Sequence, residues 1–324
     1  MNDRRRQTKN VSRKHHFVPR WYLRHWCGFN GRVLRARKTP SGILFDEQLP
    51  ENIGCEKDLN TVFGTPGNRS LRFEDEMTRL LDDPFSALHQ RMIAEGVQNF
   101  TDAERFEVAR HLCALQLRNP RTMREIEQGL RAGGKYPSYL SPSEVEELRE
   151  LERDVRQGFK TDLDFSKAVT RLMLHMLDEH ADILVSKTWV IVPYPEEKGL
   201  LVTSEFPFIS TQDFGSPESL FVFPVTPSLV LVIHEDVESL LKILPVHTRP
   251  GFAHLNFVMV SRNEEVYFRN PAHRKFIERY LGCFRHPVKD KSEVEFLSRT
   301  IVANFLLSIP EYMNDHDIDV SERR

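Results

Sequence analysis

The hydrophobic periodicity of this chain changes near Ser186, and the change constrains its fold. Before Ser186, apolar residues recur at helical spacing, as in the stripe of Phe106, Ala109, Leu112, Cys113 and Leu117. After Ser186, short β-rich apolar runs prevail, with prolines at their ends and edges. The sequence therefore predicts an α+β protein, in which a helix-rich N-terminal half packs on a C-terminal antiparallel or mixed β-sheet with further helices.

Local signals predict individual elements. Asn30–Gly31 is a turn signal ahead of a hairpin formed by Val33–Arg37 and Ile43–Phe45. Trp189–Pro193 and Leu200–Thr203 flank a polar turn and are expected to form a second hairpin. Further strands are expected at Leu220–Phe223, Leu229–His234 and Val266–Phe268. Further helices are expected at 73–81, 143–157, 165–176, 237–244, 252–260, 272–281 and 294–307.

Length and charge limit the domain organisation. The chain has 324 residues and a formal net charge of -2, which excludes a uniformly basic nucleic-acid binder. Cations nevertheless crowd its start, so residues 1–12 are expected to form a basic, disordered tail that could touch phosphates. Residues 13–324 are expected to form one α+β domain, helix-rich over 13–186 and sheet-containing over 187–324.

Cysteine and apolar patterns favour the cytoplasm. The four cysteines are scattered without a Cys-x-x-Cys pair, which favours reduced, mostly buried thiols. The longest apolar run, Leu229–Ile233, is too short to span a bilayer, and the N-terminus lacks the apolar stretch of a signal peptide. No phosphate loop, dinucleotide fingerprint, H-E-x-x-H or G-x-S-x-G motif is present, which disfavours nucleotide-cofactor enzymes and serine hydrolases of those types.

The segment Lys14–Trp26 concentrates three histidines and four aromatic residues. Pro19 fits the first turn of a helix that is expected to end near Gly28, with the histidine pair in its extended entry. Four large apolar side chains this close together are expected to be buried, namely Phe17, Tyr22, Leu23 and Trp26. Arg20, Arg24 and His25 are expected nearer the rim or outside.

The histidine pair has two interpretations. His15 or His16 could bind a divalent metal or act as a general base. Alternatively, one is a hydrogen-bonded core residue and the other a surface contact. Because adjacent residues of an extended chain point to opposite faces, the two are not expected to bind one ion. Glu74 begins a predicted helix, where it favours the helix dipole, and it would become a metal ligand only on meeting His15 or His16.

Other candidate site residues carry similar alternatives. Ser204 and Glu205 lie on a proline-stiffened turn that follows a predicted strand, which suits either a catalytic site or a Ser/Thr turn. Arg118 and Arg121 flank a helix-ending proline and could bind phosphate or carboxylate, or form structural ion pairs. The remaining substrate-binding candidates are Arg20 and Asn256.

Several segments together resemble a largely bacterial family, the domain of unknown function 4238, whose members open with HH-x-V-P-x-x-Y-L. The chain reads HHFVPRWYL from His15, and similar segments follow in order: FEDEM at 73–77, QLRNPRT at 116–122, VTSEFP at 202–207, FPVTP at 223–227, and Asn256 ahead of EVYFR. The family tends to read T-S-D-x-P, so Glu205 places its carboxylate differently. Because the family has no established activity, the resemblance implies membership more than mechanism.

Three functions fit these patterns. The first is a metal-assisted, nuclease-like hydrolase, with His15 or His16 as base or ligand and with His16, Glu74 and Glu205 as the metal-ligand set. In such an enzyme, His15 or His16 should share a cleft with Glu205. The second is a non-catalytic regulatory protein that binds nucleic acid or a protein, with the HHFVPRWYL segment as a structural clasp. The third is a small-molecule sensor.

Overall fold

A computed structural model describes residues 14–57, 82–122, 177–193, 200–210, 219–235 and 249–283, with short pieces at 62–63, 69–70, 124, 128, 145–146, 149–150, 153 and 214. The helices are α1 Arg20–Arg24, α2 Asp83–Glu95, α3 Asp102–Leu117, α4 Arg249–Arg262 and α5 Arg274–Tyr280; residues 177–185 are also helical, and 3-10 turns span Pro50–Asn52 and Pro271–His273. The strands are β1 Lys14–His16, β2 Val33–Thr39, β3 Gly42–Gln48, β4 Cys55–Lys57, β5 Val62–Phe63, β6 Arg69–Ser70, β7 Thr188–Pro193, β8 Val202–Ser204, β9 Ile209–Ser210, β10 Phe221–Thr226, β11 Leu229–His234 and β12 Glu265–Phe268.

Two four-stranded sheets organise the described part of the chain. Sheet 1 has the order β3-β2-β12-β8, and sheet 2 has the order β7-β11-β10-β9. All of their strand pairs are antiparallel. Two-stranded ribbons form between β1 and β4 and between β5 and β6. The predicted α+β class is confirmed, and sheet 1 combines strands from both halves of the chain.

The hydrophobic core has two parts. The larger one joins α1, α2 and α3 to sheet 2, and includes Trp26, Phe85, Leu112 and Phe223. The smaller one packs α4 and α5 on sheet 1 through residues such as Val260. Within the described residues, no helix is both long enough and apolar enough to cross a membrane.

The predicted β2–β3 hairpin and the α3 stripe are confirmed. Ala36 pairs with Phe45 in the hairpin, and the α3 stripe is buried except at Phe106, which is partly buried. Thr101 caps α3 through a capping box with Glu104, and the helix ends at Leu117, ahead of Pro120. The cysteines are free, but only Cys113 is buried, so the expectation of mostly buried thiols is wrong.

The predicted hairpin between Trp189–Pro193 and Leu200–Thr203 is wrong. In the structure β7 pairs with β11 in sheet 2, whereas β8 pairs with β12 in sheet 1. The Asn256 side chain of α4 accepts a hydrogen bond from the Val202 N–H at 2.8 Å. The backbone of β8 is therefore hydrogen-bonded to α4 and β12. The polar turn signal marked only the connection between two sheets.

Two smaller differences concern helix α1 and proline placement. Helix α1 ends at Arg24, not near Gly28, because Gly28 instead bonds Arg32 in the turn ahead of β2. Pro224 lies inside β10, at a shift in the register between β10 and β11. Strand β9 pairs with Phe221 and Val222 of β10 and does not reach Pro224, so the missing N–H of this proline interrupts no hydrogen bond to β9.

Several expectations lie outside the described residues. They concern the basic tail at 1–12 and the helices at 73–81, 165–176, 237–244 and 294–307. Within the predicted helix at 143–157, the described residues 145–146, 149–150 and 153 are helical.

Candidate functional site

The buried side chains of the N-terminal segment connect the two sheets. Phe17, Leu23 and Trp26 are buried as predicted, and so is Tyr22. The Tyr22 hydroxyl donates to the Pro224 carbonyl in β10 at 2.8 Å and lies 2.7 Å from the Thr203 hydroxyl in β8. Because a phenol carries one proton, the Thr203 hydroxyl donates to Tyr22. One side chain thus bonds both sheets.

The two histidines lie on opposite faces of the β1–β4 ribbon, as predicted. His15 faces Glu56 across the ribbon and is 1% exposed, whereas His16 faces Cys55 and is partly exposed. Burial, together with the positive charge of Arg20, lowers the pKa of His16 to about 4. His16 is therefore neutral at pH 7.

Arg118 at the end of α3 is almost fully buried, with 2% of its surface exposed. Its Nε donates to the Phe17 carbonyl at 3.0 Å, and its Nη1 donates to Asp82 Oδ1 at 2.7 Å. The structural ion pair foreseen for this arginine therefore exists. Burial raises the pKa of Asp82, against the opposing effect of the Arg118 charge. Arg121 is partly exposed, and its backbone N–H bonds Asn119 Oδ1 at 2.9 Å.

The end of α3 also bonds the turn that follows β8. Asn119 Nδ2 donates to the Glu205 carbonyl at 3.0 Å, and Gln116 Nε2 donates to the Phe208 carbonyl at 3.1 Å. With the Arg118 bond to Phe17, three segments far apart in sequence meet here. We call this meeting point, formed by residues 15–19, 116–121 and 203–208, the α3 junction.

Ser204 is a structural residue of the α3 junction. Its side chain is fully buried, and its Oγ accepts the Phe206 N–H at 3.1 Å. The same Oγ lies 2.9 Å from the Phe206 carbonyl and 2.9 Å from Met259 Sδ. These contacts form the Ser/Thr turn that was the alternative to a catalytic role. Similarly, Asn256 is buried and bonds Val202 N and the Leu200 carbonyl, so it anchors β8.

Glu205 carries the carboxyl of the α3 junction, and its pKa is strongly perturbed. Its Oε1 accepts the N–H groups of Glu264 at 2.9 Å and Glu265 at 3.3 Å. Burial, aided by the charge of Glu265, outweighs these bonds and raises the pKa of Glu205 to about 7. Both protonation states are therefore present at neutral pH, which suits a general acid or base.

A charged network beside Glu205 extends across sheet 1. Glu265 Oε1 accepts the Tyr267 hydroxyl at 2.8 Å and lies 3.7 Å from an Arg35 nitrogen. Arg35 also holds Asp46 with two hydrogen bonds. The sequence EVYFR does not predict this charged network, because the network forms only when β12 pairs with β2 and brings Arg35 close to Glu265.

The described residues hold no group of three His, Cys, Asp or Glu side chains that could bind a metal ion. The proposed ligand Glu74 lies outside the described residues. His16 and Glu205 both belong to segments that contact the end of α3, through Phe17 and through the Glu205 carbonyl. That a histidine shares a cleft with Glu205 stays a prediction.

A family model described as "Protein of unknown function (DUF4238)" matches residues 14–280. The chain belongs to the DUF4238 family. The match spans the chain from β1 to α5 and contains all three segments of the α3 junction. No curated protein and no solved structure matches the chain.

This DUF4238 protein also holds two buried histidines that sequence reasoning missed. His89 is fully buried, and its Nε2–H donates to the Val225 carbonyl at 3.0 Å. Burial lowers the pKa of His89 to about 3. His111 stacks on Phe85 with a centroid separation of 4.0 Å, and its Nδ1 lies 3.5 Å from Asp82. Both lie among apolar helical positions, where a sequence gives no sign of polar contacts.

Proposed function

We propose that the protein is a nuclease-like hydrolase that acts on nucleic acid in the bacterial cytoplasm, with Glu205 and His16 as its acid–base groups. The observation that carries this proposal is the α3 junction, where Arg118 bonds Phe17 and Asn119 bonds Glu205. Perturbed ionisable groups concentrated at one place are characteristic of functional sites. Through these two bonds, the backbone segments that carry His16 and Glu205 both contact the end of α3.

In this proposal the two acid–base groups act on opposite sides of a phosphodiester. A neutral His16 takes a proton from the attacking water as its oxygen bonds phosphorus, and protonated Glu205 gives its proton to the leaving oxygen as the P–O bond breaks. In the metal-assisted form, a divalent ion held by His16, Glu205 and Glu74 would lower the pKa of that water. The basic tail would add sequence-independent contacts to phosphates.

A second candidate function is a non-catalytic regulatory protein that binds nucleic acid or another protein. The Tyr22 bonds to Thr203 and Pro224 favour it, because a structural clasp between the sheets would need such bonds. In that case the basic tail would recognise the partner, and no turnover would occur.

One assay separates the two candidates. The protein is incubated with DNA or RNA in the presence of Mg²⁺, Mn²⁺ or Zn²⁺, with and without a chelator. The hydrolase should cleave, and Glu205→Gln and His16→Ala should each reduce cleavage by at least about 10²-fold, the usual contribution of an acid–base group. The control Glu278→Gln changes an exposed glutamate of α5 and should leave cleavage unchanged.

The outcomes point in different directions. Loss of cleavage with chelator would support the metal-assisted form. Salt-sensitive binding without turnover would point to the regulatory protein, and changing Arg4, Arg5 and Arg6 to Ala should then flatten the salt dependence. Equal loss of activity in Glu278→Gln would contradict a specific role for Glu205.

A further inference from the structure

Phe29 is an aromatic residue that the fold leaves in water. The described residues include three exposed large apolar side chains, and Phe29, which is fully exposed, is the only aromatic among them. A single exposed apolar residue needs no explanation by itself. However, the guanidinium carbon of Arg269 lies 5.6 Å from the centre of the Phe29 ring, within the range of a cation–π contact. The ring thus meets one cation and keeps most of its surface available for another flat group.

The backbone holds this ring in a fixed place. Phe29 lies in a turn that is closed by a hydrogen bond from the Gly31 N–H to the Gly28 carbonyl at 3.0 Å. The Gly28 N–H donates to the Arg32 carbonyl at 2.7 Å, and the Arg32 N–H donates to Asn30 Oδ1 at 3.0 Å. A ring on such a bonded turn loses little conformational freedom when a ligand packs on it, which lowers the cost of binding.

The surroundings of the ring are positively charged. Arg32 is exposed, and its Nη1 donates to a backbone oxygen, the Glu47 carbonyl, at 3.4 Å. The Glu47 carboxylate accepts a hydrogen bond from Asn30 Nδ2 at 2.8 Å. Two arginines, Arg32 and Arg269, and one carboxylate therefore border the turn. The net positive charge beside an exposed ring favours a partner that combines negative charge with a flat apolar group.

We propose that Phe29, Arg269 and Arg32 form a binding site for single-stranded nucleic acid, in which an unpaired base stacks on the Phe29 ring and the arginines contact the flanking phosphates. Every base has a π-face and every nucleotide carries a phosphate, so this chemistry matches the site without a particular sequence. A base inside a duplex is already stacked on its neighbours and must leave the stack to reach the ring. The proposal rests on the nucleic-acid function and names the strand state of the ligand.

Strand β12 connects this site to Glu205. Arg269 follows the last residue of β12, and Glu205 accepts the N–H of Glu265, the first residue of β12, at 3.3 Å. Because a strand rises about 3.3 Å per residue, the two ends of β12 lie roughly 10 Å apart. A single strand bound at Phe29 would therefore lie within a few nucleotides of the carboxyl that the proposed hydrolase uses.

The first test measures binding of a fluorescein-labelled oligothymidylate of about 12 nucleotides to the full-length protein by fluorescence anisotropy, with a chelator present. Phe29→Ala should weaken binding about 5- to 150-fold, the range for the loss of one stacked base. Phe29→Leu keeps apolar surface but no π-face and should also weaken binding, whereas Phe29→Trp should retain it. The matched control Leu44→Ala removes an exposed apolar side chain opposite Arg37, toward the other end of β2, and should leave the affinity unchanged.

The stacking itself is observed in the Phe29→Trp variant. The three native tryptophans, Trp21, Trp26 and Trp189, are buried or partly buried, so a tryptophan at position 29 is distinguished from them by its exposure. Oligothymidylate should quench the fluorescence of the variant over the same concentration range in which the anisotropy rises, and the parent protein should change much less. Binding without any quenching in the variant would overturn the proposal.

Charge and strand state are tested in parallel. Arg269→Gln should lower the slope of log affinity against log salt by about 0.7, the value for one phosphate contact on a single strand. Arg279→Gln removes an equal charge from a cation–π pair with the partly buried Tyr280 and should leave the slope unchanged. On a duplex of the same length, Phe29→Ala should bind as the parent does. Equal weakening on single strand and duplex would overturn the proposed stacking.

The results for this site and for the hydrolase are distinguishable. Single-strand binding that depends on Phe29, without cleavage of DNA or RNA, would support the site and count against the hydrolase. Cleavage that proceeds equally well in Phe29→Ala, with unchanged affinity for the single strand, would leave the hydrolase standing and remove this site. No single-strand binding at all would overturn the proposal and favour a protein partner for the exposed ring.

Discussion

Replacing Tyr22 by Phe should destabilise the protein by about 2–5 kcal/mol, because two buried polar groups would lose their partner, at about 1–3 kcal/mol each. The hydroxyl bonds Thr203 in sheet 1 and the Pro224 carbonyl in sheet 2, and Tyr22 and Thr203 are both buried. The ring itself stays, so its stacking on Phe223 at 5.2 Å is retained. The expected loss therefore measures the two bonds and not a cavity.

The assay is urea unfolding followed by circular dichroism, within a double-mutant cycle. In the Thr203→Val background, Tyr22→Phe leaves only the Pro224 carbonyl unpaired, so it should cost less, with a coupling energy of about 1 kcal/mol or more. Tyr280→Phe, at a partly exposed ring on α5, should stay within about 0.5 kcal/mol of the parent. Strict additivity of Tyr22→Phe and Thr203→Val would refute the reasoning.

Three further predictions use the same unfolding measurement and concern the packing at Gly54 and at Trp26 and the titration of the buried His89. Gly54→Ala should destabilise the protein by more than about 2 kcal/mol, since the φ of Gly54 is 59° and the new Cβ would lie 2.8 Å from Val18 Cβ. Gly31→Ala, at φ 70° with no atom within 4 Å of the new Cβ, should destabilise it by only about 1–2 kcal/mol. Equal losses in the two variants would contradict the crowding at Gly54. Trp26→Ala should lose about 3–5 kcal/mol at a fully buried site, and a loss below 1 kcal/mol would refute that packing. Because the pKa of His89 is about 3 in the folded state and near 6.5 when unfolded, stability should fall as pH drops from about 6.5 toward 3, by up to about 1.4 kcal/mol per pH unit. His89→Gln should reduce that slope, and an unchanged slope would exclude His89 as its source.

Local patterns in the sequence predicted local structure well. Asn30–Gly31 precedes a hairpin whose two strands pair as expected, and most of the α3 stripe is buried, although α3 also buries residues outside the stripe such as His111 and Leu115. The aromatics of the N-terminal segment are buried as predicted, because so much apolar surface close together is costly in water. In each case, the residues within a few positions of one another determine the outcome.

The long-range pairing could not be read from the sequence. Strand β8 is bonded by β12 and by Asn256, more than fifty residues later, so its own polar turn signal misled the hairpin prediction. Asp82 and His111 likewise acquire their contacts only when α2 and α3 pack together. Contacts between distant segments depend on the whole topology, and no spacing rule within one segment reveals them.

Buried polar atoms in and around the α3 junction differ in how fully the fold bonds them. A clasp that serves the fold alone should pair all of its buried polar atoms, since an unpaired one costs stability. Asn256 and Ser204 meet this condition, with both ends of the amide and the hydroxyl bonded. Arg118, His16 and Trp26 do not, because each keeps one buried nitrogen without a partner within the described residues. Trp26 packs in the hydrophobic core and belongs to no candidate site, so one unpaired buried nitrogen is compatible with a structural role and does not by itself mark a ligand site.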